Sequence, residues 1–193
     1  MAEIKRVGVL GCGLMGSGIA QVAAGAGYET IVRDVSQELL DRGRAGIEKS
    51  LAKFVEKGKL PAADRDATVQ RLKFTTTVAD LKQADIVIEA ITEDLGLKNA
   101  LFKELDGLCS PGTIFASNTS SLTIAEMAAA TKRPDRFVGL HFFNPVPLMP
   151  LVEVVRTVTT SEETFKRAFS FAASLRKEPV AAKAKAPGAV FSI

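Results

Sequence analysis

A doubly wound α/β fold, a mostly parallel sheet with helices on both faces, is predicted for the 193-residue chain by three observations. Short apolar runs alternate with helix-period stretches from Ile4 to Leu140, the pattern from which crossover helices build a parallel sheet. The run Asp85-Ile86-Val87-Ile88-Glu89 is apolar without alternation, as expected of a strand covered on both faces. The first apolar run, Ile4 to Leu10, turns through Gly11-Cys12-Gly13-Leu14-Met15-Gly16 into an alanine-rich helical pattern. G-x-G-x-x-G between strand and helix is the arrangement in which such a sheet holds a dinucleotide.

In that loop Gly11 permits the tight turn, Gly13 lets backbone approach a pyrophosphate, and Gly16 lets strand and helix pack closely. The N–H groups of the helix from Leu14 to Ala26 then face the phosphates. The second strand, Glu29–Arg33, ends at Asp34, at roughly the 20-residue interval where an acid reaches the adenosine ribose. No Arg follows Asp34 to receive a 2′-phosphate, so the cofactor expected is NAD over NADP.

Ser36 is placed to cap a long helix, Gln37–Lys57, whose apolar stripe includes Leu40, Ile47, Leu51 and Phe54. Lys49, Lys53 and Lys57 recur at i, i+4, i+8 on one face, readable either as a solvated charged face or as an anion contact. Gly58 and Pro61 end the helix, and a short helix, Ala62–Arg71, leads to a brief strand, Leu72–Thr75. Beyond the strand ending at Glu89, the segment Ala90–Glu93 lies at the carboxyl edge, where ligands bind in open parallel sheets. A helix at Leu95–Leu108 follows, then a strand at Thr113–Ala116 ending in Ser117-Asn118-Thr119-Ser120-Ser121 before another helical start. Strand Phe137–Leu140 ends at His141, Leu151–Arg156 reads as one more strand, and Glu162–Leu175 as a helix. Past Pro179 periodicity is lost, so residues 1–180 are expected to form the domain and 181–193 a linker or tail.

Composition narrows the function classes. A net charge of +3 leaves no nucleic-acid footprint, and no apolar run is long enough to span a membrane. The chain opens into a strand without the features of a signal peptide, so a cytoplasmic protein is expected, with Cys12 and Cys109 as reduced thiols. One His and two Cys do not make a structural zinc site, and no metal is expected.

His141, the only histidine, stands at the ligand edge beside Phe142, Phe143 and Asn144. A hydroxyl that gives up hydride must also lose its proton, and imidazole is the side chain suited to take it. Glu153, flanked by Val152 and Val154, is the candidate to fix the ring; the alternative is a surface acid on an edge strand. Ser120 or Ser121 could hydrogen-bond the reacting oxygen, and spacing does not choose between them.

Three stretches are specific enough to carry a resemblance: Gly11 to Gly16, Ser117 to Leu122, and His141-Phe142-Phe143-Asn144-Pro145-Val146-Pro147 with Leu151-Val152-Glu153-Val154-Val155. Together they resemble the L-3-hydroxyacyl-CoA dehydrogenases, over about residues 3–180. The resemblance implies a Rossmann-type domain that, with NAD, interconverts a 3-hydroxyacyl-CoA and a 3-ketoacyl-CoA of short chain, the 3-hydroxybutyryl-CoA/acetoacetyl-CoA pair. It implies His141 as general acid/base, Glu153 as its orienting carboxylate, and Ser120 as the serine that meets substrate and nicotinamide. It assigns Gly11, Gly13, Leu14, Met15, Gly16, Asp34, Ala90, Ile91, Glu93, Lys98, Ser120 and Asn144 to the cofactor. Ser50, Lys53 and Lys57, in a helical insertion at about residues 37–71, fall to coenzyme A together with Ser120.

The resemblance also implies a helical C-terminal domain that opens after a Pro-Gly-Phe segment, carries an active-site asparagine and makes a homodimer. Here Pro187-Gly188 is followed by Ala189-Val190-Phe191-Ser192-Ile193, which places Ser192 or Phe191 where that asparagine is expected. The expectation is therefore a cofactor domain without its substrate domain, whose exposed apolar surface favours self-association.

Overall fold

The computed structural model describes residues 3–120 and 124–183. Its eight strands form one sheet in the order β3-β2-β1-β4-β5-β6-β7-β8. Strands β1 (Arg6–Leu10), β2 (Glu29–Arg33), β3 (Leu72–Thr75), β4 (Ile86–Glu89), β5 (Ile114–Ser117) and β6 (Phe137–Phe142) run parallel. Strand β7 (Leu151–Arg156) is antiparallel to β6, and β8 (Glu178–Lys183) is parallel to β7. The order reverses between β1 and β4, and the carboxyl edge beside that switch point is where a doubly wound sheet opens a ligand crevice.

Helices α1 (Leu14–Gly25), α2 (Gln37–Glu56) and α6 (Glu162–Ser174) cover one face, with α3 (Ala62–Gln70) packed on α1 and α2. Helices α4 (Leu95–Leu108) and α5 (Ile124–Ala129) cover the other. The strands alternate between these layers: Ile86, Ile88 and Ala116 join the first core, Val87 and Phe115 the second. In the second, Phe102 meets Phe137 edge to face at 4.7 Å between ring centres, and the Arg133 guanidinium lies 5.0 Å over Phe115. Arg133 also ties α5's exit to the end of α4, bonding Asp106 Oδ1 at 2.6 Å and the Ser110 carbonyl. Ser36 caps α2 as expected, its hydroxyl accepting from Leu39 N at 3.3 Å.

Two expectations are corrected and one alternative is set aside. Strand β6 does not stop at Leu140, because pairing with β7 carries the ladder through Phe142↔Val152; His141 lies within the strand. Glu153 is not on an edge strand, since β8 covers β7 along its outer side. The loss of pattern past Pro179 does not end regular structure there: the strand continues through Lys183, three residues into the expected linker. Residues 184–193, including Pro187, Gly188, Phe191 and Ser192, lie outside the described residues.

Candidate active site

The glycine loop is built as its spacing requires. Gly11 sits at φ +92°, where a Cβ would lie 2.6 Å from the Ala90 carbonyl oxygen. A Cβ on Gly16 would fall 1.9 Å from the Gly11 carbonyl oxygen, so the first turn of α1 rests directly on the loop. Gly13 faces open space, with nothing within 4 Å of a Cβ there, and as N-cap it offers α1 no side-chain partner. Uncapped N–H groups at an open helix start fit a dinucleotide pyrophosphate. Asp34 stands beside them: Oδ2 accepts from Cys12 N and Oδ1 from Val35 N, each at 2.6 Å. Gly16→Ala is expected to cost at least the upper end of the about 1–3 kcal/mol typical of overpacking, and to abolish NAD binding; a melting curve with a cofactor titration reads both.

Cys12, in the loop, is buried against α2, and burial pushes its thiol up to about 11, with Asp34 adding to the effect. Cys109 is likewise raised to about 11, mainly by burial. Neither thiol is ionised near neutral pH, which removes both from nucleophilic roles.

At the carboxyl edge His141 and Glu153 are register partners across β6 and β7. Their side chains leave the same face, and His141 Nδ1 lies 2.7 Å from Glu153 Oε2. An ionised carboxylate only accepts, so Nδ1 carries the hydrogen and Nε2 is the nitrogen that exchanges a proton. Phe143 packs on the imidazole at 4.6 Å between ring centres. Asn118 Oδ1 accepts from Phe142 N at 2.8 Å, tying the end of β5 to the histidine strand. Ser120 is exposed just beyond Asn118; Ser121, its sequence alternative, lies outside the described residues.

The neighbouring wall holds a network that sequence reading found only in part. Glu89, fully buried at the end of β4, accepts from Ile91 N at 2.7 Å and from Ser117 Oγ at 2.5 Å. Lys98 Nζ, itself 1% exposed, bridges Glu89 at 3.1 Å and Glu93 at 2.8 Å. Thr119 Oγ1 donates to the Glu93 carboxylate at 3.0 Å. Burial raises the pKa of Glu89, opposed by Lys98, Ser117 and the Ile91 amide. Glu93 and Lys98 were expected here, together with Ala90 and Ile91; Glu89, Ser117 and Thr119 were not assigned. The one available signal was a carboxylate ending an otherwise apolar strand.

On the helical side a cleft of about 300 Å³ lies between α1, α2 and the loop after β6. Ser50, Lys53, Lys57 and Asn144 line it, as does Leu14. Lys49 does not, and Lys59 does, which revises the three-lysine face. Helix α2 ends at Glu56, and Gly58 at φ +66° folds the chain back so that Lys59 N bonds the Phe54 carbonyl at 2.8 Å. The reversal brings a lysine from beyond the helix onto the cleft, something a helical period does not foresee.

Comparison with known proteins shows the family. Residues 6–185 match the family described as 3-hydroxyacyl-CoA dehydrogenase, NAD binding domain. A probable 3-hydroxybutyryl-CoA dehydrogenase of Deinococcus radiodurans is 50% identical over 91% of this chain and 63% of its own length. The human mitochondrial hydroxyacyl-coenzyme A dehydrogenase is 47% identical over 93% of this chain and 59% of its own. Among solved structures, (S)-3-hydroxybutyryl-CoA dehydrogenase PaaH1 from Ralstonia eutropha superposes with a TM-score of 0.93 at 43% identity, covering 95% of this chain and 65% of that one. The chain thus spans a little under two thirds of the length of the curated relatives it matches.

Proposed function

We propose, from a chain that belongs to the 3-hydroxyacyl-CoA dehydrogenase NAD-binding-domain family, an oxidoreductase that interconverts a short-chain (S)-3-hydroxyacyl-CoA and its 3-ketoacyl-CoA. The observation that carries the reading is the His141–Glu153 pair at 2.7 Å, across two strands whose connecting loop supplies Asn144 to the lysine-rimmed cleft. A bound nicotinamide supplies the hydride acceptor or donor. In oxidation His141 Nε2 takes the C3 hydroxyl proton as hydride leaves C3; in reduction the imidazolium returns a proton to the nascent alkoxide. Glu153 holds the ring and stabilises its cationic form through Nδ1. Ser120 orients the substrate oxygen, while Lys53 and Lys57 act as point charges on the coenzyme A phosphates.

The test is NADH loss on adding acetoacetyl-CoA, run beside NAD and coenzyme A titrations. Turnover supports the dehydrogenase; binding of both without turnover leaves a two-ligand binding domain; failure to bind NAD removes both readings. Asp34→Ala is expected to weaken NAD about 10–100-fold, the loss of a hydrogen bond to a charged group. Unchanged NAD affinity in that titration counts against Asp34 as the ribose acid.

A further inference from the structure

One wall of the lysine-rimmed cleft is the connection between β6 and β7, which meets it with Asn144, Pro145, Val146, Pro147 and Leu148. Side-chain packing anchors only part of this loop. Val146 is buried against Gly18 of α1, where a Cβ would lie 2.8 Å from Val146 Cβ, but Leu148 and Met149 are exposed. The Pro145 carbonyl gathers the segment into one turn, accepting from Leu148 N at 2.9 Å and from Met149 N at 3.0 Å. Lys177 grips that turn from outside. Its Nζ donates to the Val146 carbonyl at 2.5 Å and to the Met149 carbonyl at 2.7 Å. The next residue, Glu178, bonds the Pro150 carbonyl through its N–H at 2.8 Å. Arg176, at φ +58°, turns the chain out of α6 and brings Lys177 to the loop.

Lys177 is not in the lining of the cleft. It lines a second space of about 230 Å³, which also holds Lys59 and Arg176 and has no carboxylate among the described residues around it. Pro147 lines both spaces, so the loop has open volume before and behind it. We propose that Lys177 is a positioning residue for the acyl-CoA cleft, fixing the β6–β7 loop from behind through the Val146 and Met149 carbonyls. The inference rests on the acyl-CoA reading above. Burial lowers the pKa of Lys177, so its charge is disfavoured there, and two carbonyl acceptors offset the water it has lost. Hydrogen bonds from an ammonium are stronger than those between neutral groups, which suits a loop whose tip buries little. A loop already set in place spares the ligand the cost of ordering it. The proton-transferring pair does not depend on this clamp, because His141 and Glu153 are fixed by the β6–β7 ladder. The effect therefore falls on how firmly the cleft holds coenzyme A, and not on the glycine loop or Asp34.

The experiment titrates the folded chain with coenzyme A and with NAD, in the parent, in Lys177→Met and in Lys177→Arg. Lys177→Met keeps the apolar stem and removes the donors; coenzyme A affinity is expected to fall about tenfold, with NAD affinity changed less than about twofold. Amide exchange at Leu148 and Met149 is expected to quicken in the same variant while that of Leu140, in the β6 ladder, holds. Lys177→Arg restores a cation with several donors and is expected to recover most of the coenzyme A affinity. Equal coenzyme A affinity in parent and Lys177→Met overturns this proposal alone. An equal loss of NAD affinity also overturns it, since that marks general loosening, and so does the absence of any recovery in Lys177→Arg. Should Lys177→Met not fold, Lys177→Gln, which removes the charge and keeps a polar end, carries the same comparison. A parent chain that does not bind coenzyme A overturns the acyl-CoA reading and this proposal with it.

Discussion

His141→Ala is expected to lower the rate of acetoacetyl-CoA reduction by about 10²–10⁴-fold, the range a positioned general acid or base contributes. NAD affinity should hold, because the ring reaches neither the glycine loop nor Asp34. The fold should hold too. The backbone of His141 is fixed by β7 through the His141↔Glu153 register, and the side chain is part exposed rather than a core element. Glu153→Gln separates the two functions of the carboxylate. An amide can still accept from Nδ1 and hold the ring, but it offers no charge to the imidazolium, so the rate falls while the substrate KM changes little. Steady-state kinetics on both variants, with a cofactor titration as control, reads the difference. An unchanged rate in His141→Ala removes the histidine from the mechanism.

How much of this was legible in the sequence depends on whether a feature is local. Strand–helix alternation and the glycine spacing are local, and β2, β3, β7 and α4 fall on the residues expected for them. The His141–Glu153 pairing was also within reach, because two apolar strands in succession, one bearing an imidazole and one a valine-flanked carboxylate, can place such groups opposite each other. Strand β8 was not. Glu178-Pro179-Val180-Ala181-Ala182-Lys183 has weak strand propensity and is held by a ladder to β7, more than twenty residues back along the chain. Its absence from the reading is also why Glu153 looked like a candidate for an edge. Lys59 escaped for a related reason, since its place is set by the chain reversal at Gly58 rather than by a helical period.

Lys98→Met is expected to destabilise the folded chain by about 3–5 kcal/mol, the cost of leaving one member of a buried ion pair without the other. The burden falls on Glu89. Glu93 is 45% exposed and can turn its carboxylate to water, whereas Glu89 is fully enclosed and keeps only the Ser117 hydroxyl and the Ile91 amide. Two donors do not replace an ammonium in that setting, so Glu89 takes up a proton more readily in the folded state than it already does. The sign of the pH dependence follows. Burial already raises the folded-state pKa of Glu89, so its contribution to stability is full below the ordinary carboxylate range and declines as pH rises through the raised value. Without Lys98 that decline steepens, and the gap between variant and parent should narrow at pH 5 and widen at pH 8 in urea denaturation. Glu89→Gln combined with Lys98→Met should recover much of the loss, because a neutral amide can use the Ser117 hydroxyl and the Ile91 N–H without a counter-charge. An equal deficit at both pH values, unrelieved by the second substitution, would mean that the lysine stem's packing rather than its charge holds this wall of the site. The three residues nevertheless join the ends of β4 and β5 to α4, so whichever force dominates, loosening it opens the side of the crevice that faces the cofactor loop.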